Sequence, residues 1–275
     1  MVRLSALFYF LGAAGFAVFL VRQNKKAASG ALYMFAAGFL IQSLALAAAT
    51  IEQGQLPVLN LGQALTFFGW SLAGAYLLLN WKFKLPVLGA FSALPAAGLT
   101  LLGAFSPDQP AMTAPVYKSA WLTLHLGAVF IGYAFFGLAG LIGLMYLAQE
   151  AQIKRRKTGK IFKRLPSLNL LDNLNYYCLT LGFPLITLGI FTGAFLSRIA
   201  FGTYWRWDPK EVWTMVVWLV YAVLLHQRLT VGWRGRRAAV MAIVGFAVIC
   251  FTFLGVSVLF PSYHSFESLQ RLQGP

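Results

Sequence analysis

Eight long apolar runs occupy most of this chain, and short stretches that contain most of its charges separate them. Each run is at or near the ~20 residues that a helix needs to cross the hydrocarbon core of a bilayer. The fifth and sixth runs are longer and are predicted to project beyond the membrane. The predicted spans are residues 4–22, 30–51, 61–80, 85–104, 119–149, 175–199, 212–231 and 238–260.

The composition excludes a water-soluble domain. Hydrophobic residues make up 59% of the chain and charged residues 11%, and the mean hydropathy is +0.71. We therefore predict an all-α fold class, a polytopic membrane bundle of about eight helices in a single domain, 1–275. The first run has no A-x-A-like cleavage site and is predicted to be a retained span. Residues 1–119 would provide four spans, and 120–268 a second half with the outer loop 198–212.

The net charge of +15 would suggest a nucleic-acid partner in a soluble protein. Here the basic residues are unevenly divided between alternate loops, and sixteen of the 22 lysines and arginines fall in one set. An excess of basic residues marks cytoplasmic loops. The sequence thus predicts both termini on the outer side and no nucleic acid. The six outer basic residues are Arg3, Lys118, Arg198, Arg206, Lys210 and Arg271.

The stretch FGTYWRWDPKEVWTMVVW, residues 201–218, gathers four tryptophans, a tyrosine and four charges at one predicted outer turn. An ordinary interfacial belt of aromatic residues is one explanation. Asp208 before Pro209 is a predicted N-cap with proline at the first helical position. Glu211 would then lie in the first turn, where the helix dipole favours a carboxylate.

The chain has three histidines, and an ionisable side chain in a membrane segment is a functional candidate by default. His125 and His264 are predicted at the depth of the tryptophan-rich turn. His226 follows Val212 by fourteen residues, or about 21 Å of helix, which places it toward the cytoplasmic side. The alternatives are interfacial histidines that bind no ligand and, for His226, a ring bonded to a helix carbonyl.

Two imidazoles can hold a haem iron from both sides, and a flat hydrophobic macrocycle packs well on aromatic rings. The candidate rings are Tyr204, Trp205, Trp207 and Trp213. Haem propionates would pair with cations, and the candidates are Arg198, Arg206 and Lys210. Cys178 and Cys250 are single and form no C-x-x-C, so they are predicted to be buried small side chains.

The stretch FGTYWRWDPKEVW resembles the W-G-x-x-W-x-W-D signature of haem-handling membrane proteins, most closely that of the CcsA family, also called ResC. This family is the channel-forming half of the System II cytochrome c synthase. Residues 124–136, 171–194, 216–239 and 254–266 are also similar to it, whereas residues 1–119 match only in span pattern. Phe201 stands where the family often has tryptophan.

The resemblance implies that His125 and His264 are the axial ligands of a haem b at the outer face and the residues that act in catalysis. Gly202, Trp205, Trp207 and Asp208 would form a platform under it. His226 would bind the haem iron on its way from the cytoplasmic side.

The implied activity is a cytochrome c haem lyase, also called holocytochrome c synthase. Thioether bonds would form between haem vinyl groups and the thiols of a C-x-x-C-H motif in apocytochrome c. The implied partners are a CcsB/ResB-type membrane protein, apocytochrome c and haem, with thiol-reducing proteins as further candidates. The implied location is the bacterial inner membrane, with a periplasmic active face.

Two other function classes stay open at this point. A CcmC-like haem delivery or haem-sensing member of the same superfamily would not attach haem itself. A non-haem transporter or a quinone-binding subunit would show no Soret absorption after purification.

Overall fold

The computed structural model describes residues 1–106, 118–156, 159 and 164–260. Its regular elements in this part of the chain are all helical, and eight helices are long and apolar enough to cross a membrane. The predicted all-α membrane bundle is thereby confirmed, whereas the side on which the termini lie stays a prediction. The helices are α1 Val2–Arg22, α2 Lys25–Gln53, α3 Leu61–Phe83, α4 Pro86–Ala104, α5 Ala120–Lys154, α6 Leu168–Phe201, α7 Pro209–His226 and α8 Arg236–Cys250.

Polar N-caps fix where several helices begin, and α2 and α6 begin before the apolar runs 30–51 and 175–199 do. An N-cap oxygen accepts a hydrogen bond from one of the first backbone N–H groups, which have no partner inside the helix. Asn24 caps α2, Asn60 caps α3 and Ser167 caps α6. Ser119 likewise accepts a bond from the Trp121 amide at the start of α5. The helices therefore include polar residues that a hydropathy pattern places in loops.

Two π-helical segments interrupt the last spans, and the sequence did not indicate them. Gln227–Val231 continues α7, and Phe251–Gly255 continues α8 before a last short helix, α9, at Val256–Leu259. The π-helix is rare and occurs often at functional sites. The first segment follows His226 directly.

Helix α5 lies at the centre of the bundle. In its most apolar 18-residue stretch 78% of the residues are buried, against 17% for the span that contains α7. It packs against α6, α8 and α3, and Phe136 stacks on Tyr221 of α7 with ring centroids 3.5 Å apart. Helix α7 is peripheral and presents much of its surface outward. The division of the chain at residue 119 stays a prediction.

The two cysteines differ in their surroundings. Cys178 of α6 is buried, as predicted. The same prediction for Cys250 is wrong: this residue is exposed, because it lies on the outward side of the last turn of α8.

Candidate haem-binding site

The tryptophan-rich turn is a short connection with defined ends. Helix α6 ends at Phe201, and the backbone of Gly202 turns left-handed, with φ of 81°, while its amide donates to the Arg198 carbonyl at 3.0 Å. Asp208 caps α7 and accepts from the Lys210 amide at 2.9 Å, with Pro209 at the first helical position. The predicted N-cap is confirmed. We refer to Gly202–Asp208 as the tryptophan turn, and to this side of the bundle as the tryptophan end.

The Glu211 side chain binds two backbone amides of the tryptophan turn. One of its carboxylate oxygens, Oε2, accepts from the amides of Arg206 at 2.9 Å and Asp208 at 3.4 Å. Between these two amides lies Trp207, whose φ of 60° is uncommon for a residue with a side chain. A left-handed residue costs about 1–3 kcal/mol and persists only where its surroundings enforce it. The Glu211 carboxylate provides that enforcement.

This backbone presents aromatic surface outward. Trp207 is 78% exposed, and Tyr204 is 59% exposed. Trp205 meets Trp207 edge to face, with centroids 6.0 Å apart. Flat apolar rings in this arrangement can pack against a planar macrocycle.

The candidate cations lie around the same turn. The Arg206 guanidinium sits 4.0 Å from the centre of the Phe201 ring, and Arg198 sits 5.8 Å from that of Tyr204. Phe201 therefore acts as an apolar plane, which is the property that it shares with tryptophan. Lys210 lies in the first turn of α7, two residues beyond Asp208.

Trp213 lies apart from the rings of Trp205 and Trp207, and its predicted role toward haem stays a prediction. Its ring packs against Phe251 of the second π-helical segment, with centroids 4.6 Å apart. Trp213 lies one turn inside α7 on the side that faces α8, so its ring points into a helix interface. Trp218 is also packed within the bundle: its indole N–H donates to Thr187 at 3.0 Å.

His125 is held in one orientation by α6. Its Nδ1 lies 2.8 Å from the Gly189 carbonyl oxygen, and since a carbonyl only accepts, Nδ1 carries the proton. The neutral ring then has its lone pair on Nε2, which is the arrangement of most metal-binding histidines. The ring is half-buried. A Cβ on Gly193 would lie 2.8 Å from its Cε1 atom, so only glycine leaves room for it.

Contacts between α5 and α7 place His125 near the start of α7. Phe136 of α5 stacks on Tyr221 of α7. Phe136 lies eleven residues beyond His125, or about 17 Å along the helix, and Tyr221 lies twelve residues beyond Pro209, or about 18 Å. The α5 backbone at His125 is therefore close in depth to the start of α7.

His226 lies far from this level. It is the last residue of α7, an 18-residue helix that spans about 27 Å, and its side chain is exposed on the surface of the chain. His264, the third predicted ligand, lies outside the described residues.

Sequence reasoning missed the residues that orient the histidines. Gly189 and Gly193 have the G-x-x-x-G spacing of close helix contacts, which is the signal that could have found them. Arg228 is one of the sixteen basic residues assigned to cytoplasmic loops, but it is 9% exposed and paired with Asp172. It falls inside the predicted span 212–231, and an arginine within an apolar run was the available signal for this pair.

The family model for "Cytochrome C assembly protein" matches residues 58–264, which is well over half of the chain. This chain belongs to that family. It is a multi-pass membrane protein of cytochrome c biogenesis, and the predicted CcsA relationship is confirmed.

Curated relatives named "Cytochrome c biogenesis protein CcsA" support the assignment. The protein from Thermosynechococcus vestitus is 34% identical over 278 residues and covers 87% of each chain. That from Chlamydomonas reinhardtii is 36% identical over 222 residues, which are 78% of this chain and 62% of that protein. The chain thus spans less than two thirds of the algal relative.

A solved structure shares the fold of this family member. "Cytochrome c Heme Lyase CcmF" superposes with a TM-score of 0.62 over 98% of this chain and 50% of its own, at 18% identity. At this identity the likeness concerns the fold alone.

The capping contact of Glu211 yields a first prediction. Glu211→Ala removes the acceptor for two amides, and a hydrogen bond to a charged group contributes about 1.5–3 kcal/mol. Hydrogen exchange at the Arg206 and Asp208 amides should become about tenfold faster or more. Glu211→Gln, which keeps a side-chain oxygen, should have a smaller effect. The matched control is Glu52→Ala at an exposed position of α2, and equal exchange rates in all variants would contradict the capping role.

Proposed function

We propose that this chain is the membrane subunit of a cytochrome c synthase that moves haem outward and presents it for thioether attachment to C-x-x-C-H of apocytochrome c. The observation that carries the proposal is His125, half-buried in α5 with Nδ1 2.8 Å from the Gly189 carbonyl oxygen. The proposed location is the bacterial inner membrane, with the tryptophan end on the periplasmic side.

The described residues fit a haem on three counts. The Nε2 atom of His125, across the ring from the Nδ1 atom that donates to Gly189, is the proposed iron ligand. Gly193 leaves the space that the His125 ring needs. Trp207 and Tyr204 expose flat rings beside the cations Arg198 and Arg206, which suit an apolar macrocycle with two carboxylates. His264 is the proposed second axial ligand, and Gly202, Trp205, Asp208 and Lys210 complete the proposed site.

The attachment chemistry needs no oxidant. A substrate thiol adds its S–H across each vinyl C=C bond: one carbon gains the sulfur and the other gains the hydrogen. Both thiols belong to the substrate, so the chain needs no cysteine pair. Its own contribution is to fix the vinyl groups beside the thiols, and such positioning alone can lower a barrier by about 7–11 kcal/mol.

The position of His226 supports a second polypeptide. Its side chain is exposed on the span that contains α7, which has the smallest buried share of the eight described spans. A second protein can dock on this side of the bundle. A site with two imidazoles at this depth requires a histidine from elsewhere, because His125 and His264 are assigned to the tryptophan end. We propose a CcsB/ResB-type membrane protein as its source, and lyase activity only in that complex.

The decisive experiment is complementation in a bacterium that lacks other cytochrome c assembly proteins. The chain is expressed with a ResB/CcsB-type partner and a reporter apocytochrome that has one C-x-x-C-H motif. Covalent haem on the reporter, measured by haem stain after denaturing electrophoresis, supports the proposal. Haem bound to the purified complex without covalent haem on the reporter would point to a delivery protein instead.

His125 should be an iron ligand whose orientation depends on Gly193. In the purified complex, His125→Ala should convert a six-coordinate low-spin spectrum to one with an open position, and added imidazole should restore haem in part. Gly193→Ala should lower haem retention about tenfold, as loss of an orienting contact typically does. Gly98→Ala, at a helical glycine with open space around it, is the control. Unchanged spectra in both His125→Ala and Gly193→Ala would exclude this ligand.

Trp205 and Trp207 of the tryptophan turn should contribute to haem binding, and Trp218, which packs within the bundle, should contribute to stability. Trp205→Ala and Trp207→Ala should each weaken haem binding roughly two- to tenfold, given the ~0.5–1.5 kcal/mol of an aromatic contact. Trp218→Ala should instead lower the melting temperature, because it removes the contacts to Thr187 and Phe183. Haem titration and thermal unfolding on the same samples test this separation, and it fails if all three variants lose haem alike.

Haem held through His226 should be stable only in the complex. We expect His226→Ala and a variant of one partner histidine to remove the same spectral component, while the component at the tryptophan end stays. The measurement is the haem-to-protein ratio and low-spin spectrum of the chain purified alone and with the partner. Two bis-histidine haems in the isolated monomer would refute the shared site.

A further inference from the structure

A buried ion pair joins α6 to the segment just beyond His226. Arg228 donates to both carboxylate oxygens of Asp172, at 3.1 Å to Oδ1 and 2.6 Å to Oδ2, and to the Asp172 carbonyl at 2.8 Å. Both side chains are less than 10% exposed. The guanidinium also lies 4.9 Å from the centre of the Tyr176 ring. Four contacts thus fix one guanidinium.

Asp172 also binds the other end of the connection between α7 and α8. Its Oδ1 accepts from the Gly235 amide at 2.8 Å, one residue before α8 begins. Gly235 has a φ of 66°, and a Cβ there would lie 2.7 Å from the Tyr146 hydroxyl, so the turn requires glycine at this point. One carboxylate therefore binds both sides of the connection between α7 and α8.

The ion pair also determines which way α7 faces at its end. The buried residues follow a helical stripe into the π-helical segment: Tyr221, Leu224, Leu225 and Arg228. His226 precedes Arg228 by two residues, which is roughly half a turn of helix. With Arg228 fixed against α6, the His226 side chain must point away from the bundle. Its exposure agrees with this geometry.

His226 is also hydrogen-bonded, through its backbone carbonyl, to the segment that contains Arg228. The Thr230 hydroxyl donates to the His226 carbonyl at 2.6 Å, inside the segment that Arg228 anchors. A buried ion pair is weak evidence for stability, because apolar residues of similar size often stabilise a protein as well. A bidentate guanidinium–carboxylate contact does, however, fix geometry that apolar packing leaves free.

We propose that Asp172 and Arg228 are positioning residues that set the rotational orientation of His226 toward the outside of the bundle. The orientation itself is independent of haem. Its consequence, presentation of an imidazole to a ligand shared with a second polypeptide, rests on the proposed function.

The test replaces the pair with apolar residues, so that no buried charge is left unpaired. In Asp172→Leu/Arg228→Met the helices should still pack, but the turn loses its bidentate anchor. The control is Glu150→Leu/Arg236→Met, which removes the ion pair between α5 and α8. In that pair the arginine side chain is 62% exposed. Arg228→Lys keeps the charge without the fork and should give an intermediate result.

The first readout measures orientation without haem. Spin labels are placed at His226→Cys and at Leu40→Cys, an exposed position of α2, in a Cys178→Ala/Cys250→Ala background in lipid nanodiscs. The distance distribution between them should be narrow with the native pair and in the control. It should broaden at least twofold in Asp172→Leu/Arg228→Met. An equally narrow distribution in that variant would overturn the proposal.

The second readout separates positioning from general folding. In the complex with the partner, Asp172→Leu/Arg228→Met should lower the haem bound through His226 at least fivefold. In a His226→Gly background with added imidazole, the ligand orients itself, and the same double variant should cause no further loss. Equal losses in both backgrounds would overturn the proposal. A broadened distribution together with no His226-dependent haem in any variant would support the orientation and contradict the proposed function.

Discussion

Hydrocarbon offers no hydrogen-bond partners, so a polar group that a chain carries into the membrane must find its partner within the bundle. The described structure meets this constraint at several places, such as the Gln42 amide on the Thr66 carbonyl, and three of them lie at the candidate sites. Asp172 pairs with Arg228, the His125 ring binds the Gly189 carbonyl, and Glu211 collects two amides below the tryptophan turn. Each contact ties one helix or turn to another.

Helix α7 connects the two candidate sites, the tryptophan turn and His226. It begins at the cap formed by Asp208 and Glu211, next to the exposed tryptophans, and it ends at His226. Few of its residues are fully buried, so contacts at its two ends add to the packing that fixes it. A peripheral helix held in this way can present one ligand surface at the tryptophan end and another some 27 Å away.

The sequence predicted those features that depend on local patterns. Eight apolar runs predicted eight helices because a span needs about 20 apolar residues and little else. The Asp208–Pro209 pair predicted the start of α7 because capping involves neighbours in sequence. The aromatic character of residues 204–207 was evident for the same reason.

Features that depend on distant partners were not predictable in this way. Asp172 and Arg228 are 56 positions apart. From the sequence alone, Arg228 is therefore assigned to a loop as a solvent-facing cation. Trp213 is close in sequence to the tryptophan turn, but the rotation of α7 turns its ring toward Phe251. The left-handed backbone of Trp207 arises from the Glu211 contact, and no propensity of tryptophan indicates it.

The most direct test of the account is an experimental structure of the complex with haem bound. The account predicts a bond from iron to Nε2 of His125, with Nδ1 still donating to the Gly189 carbonyl and the Trp205 and Trp207 rings against the macrocycle. Iron bound elsewhere, or a His125 ring turned so that Nδ1 faces iron and the Gly189 contact is broken, would contradict it.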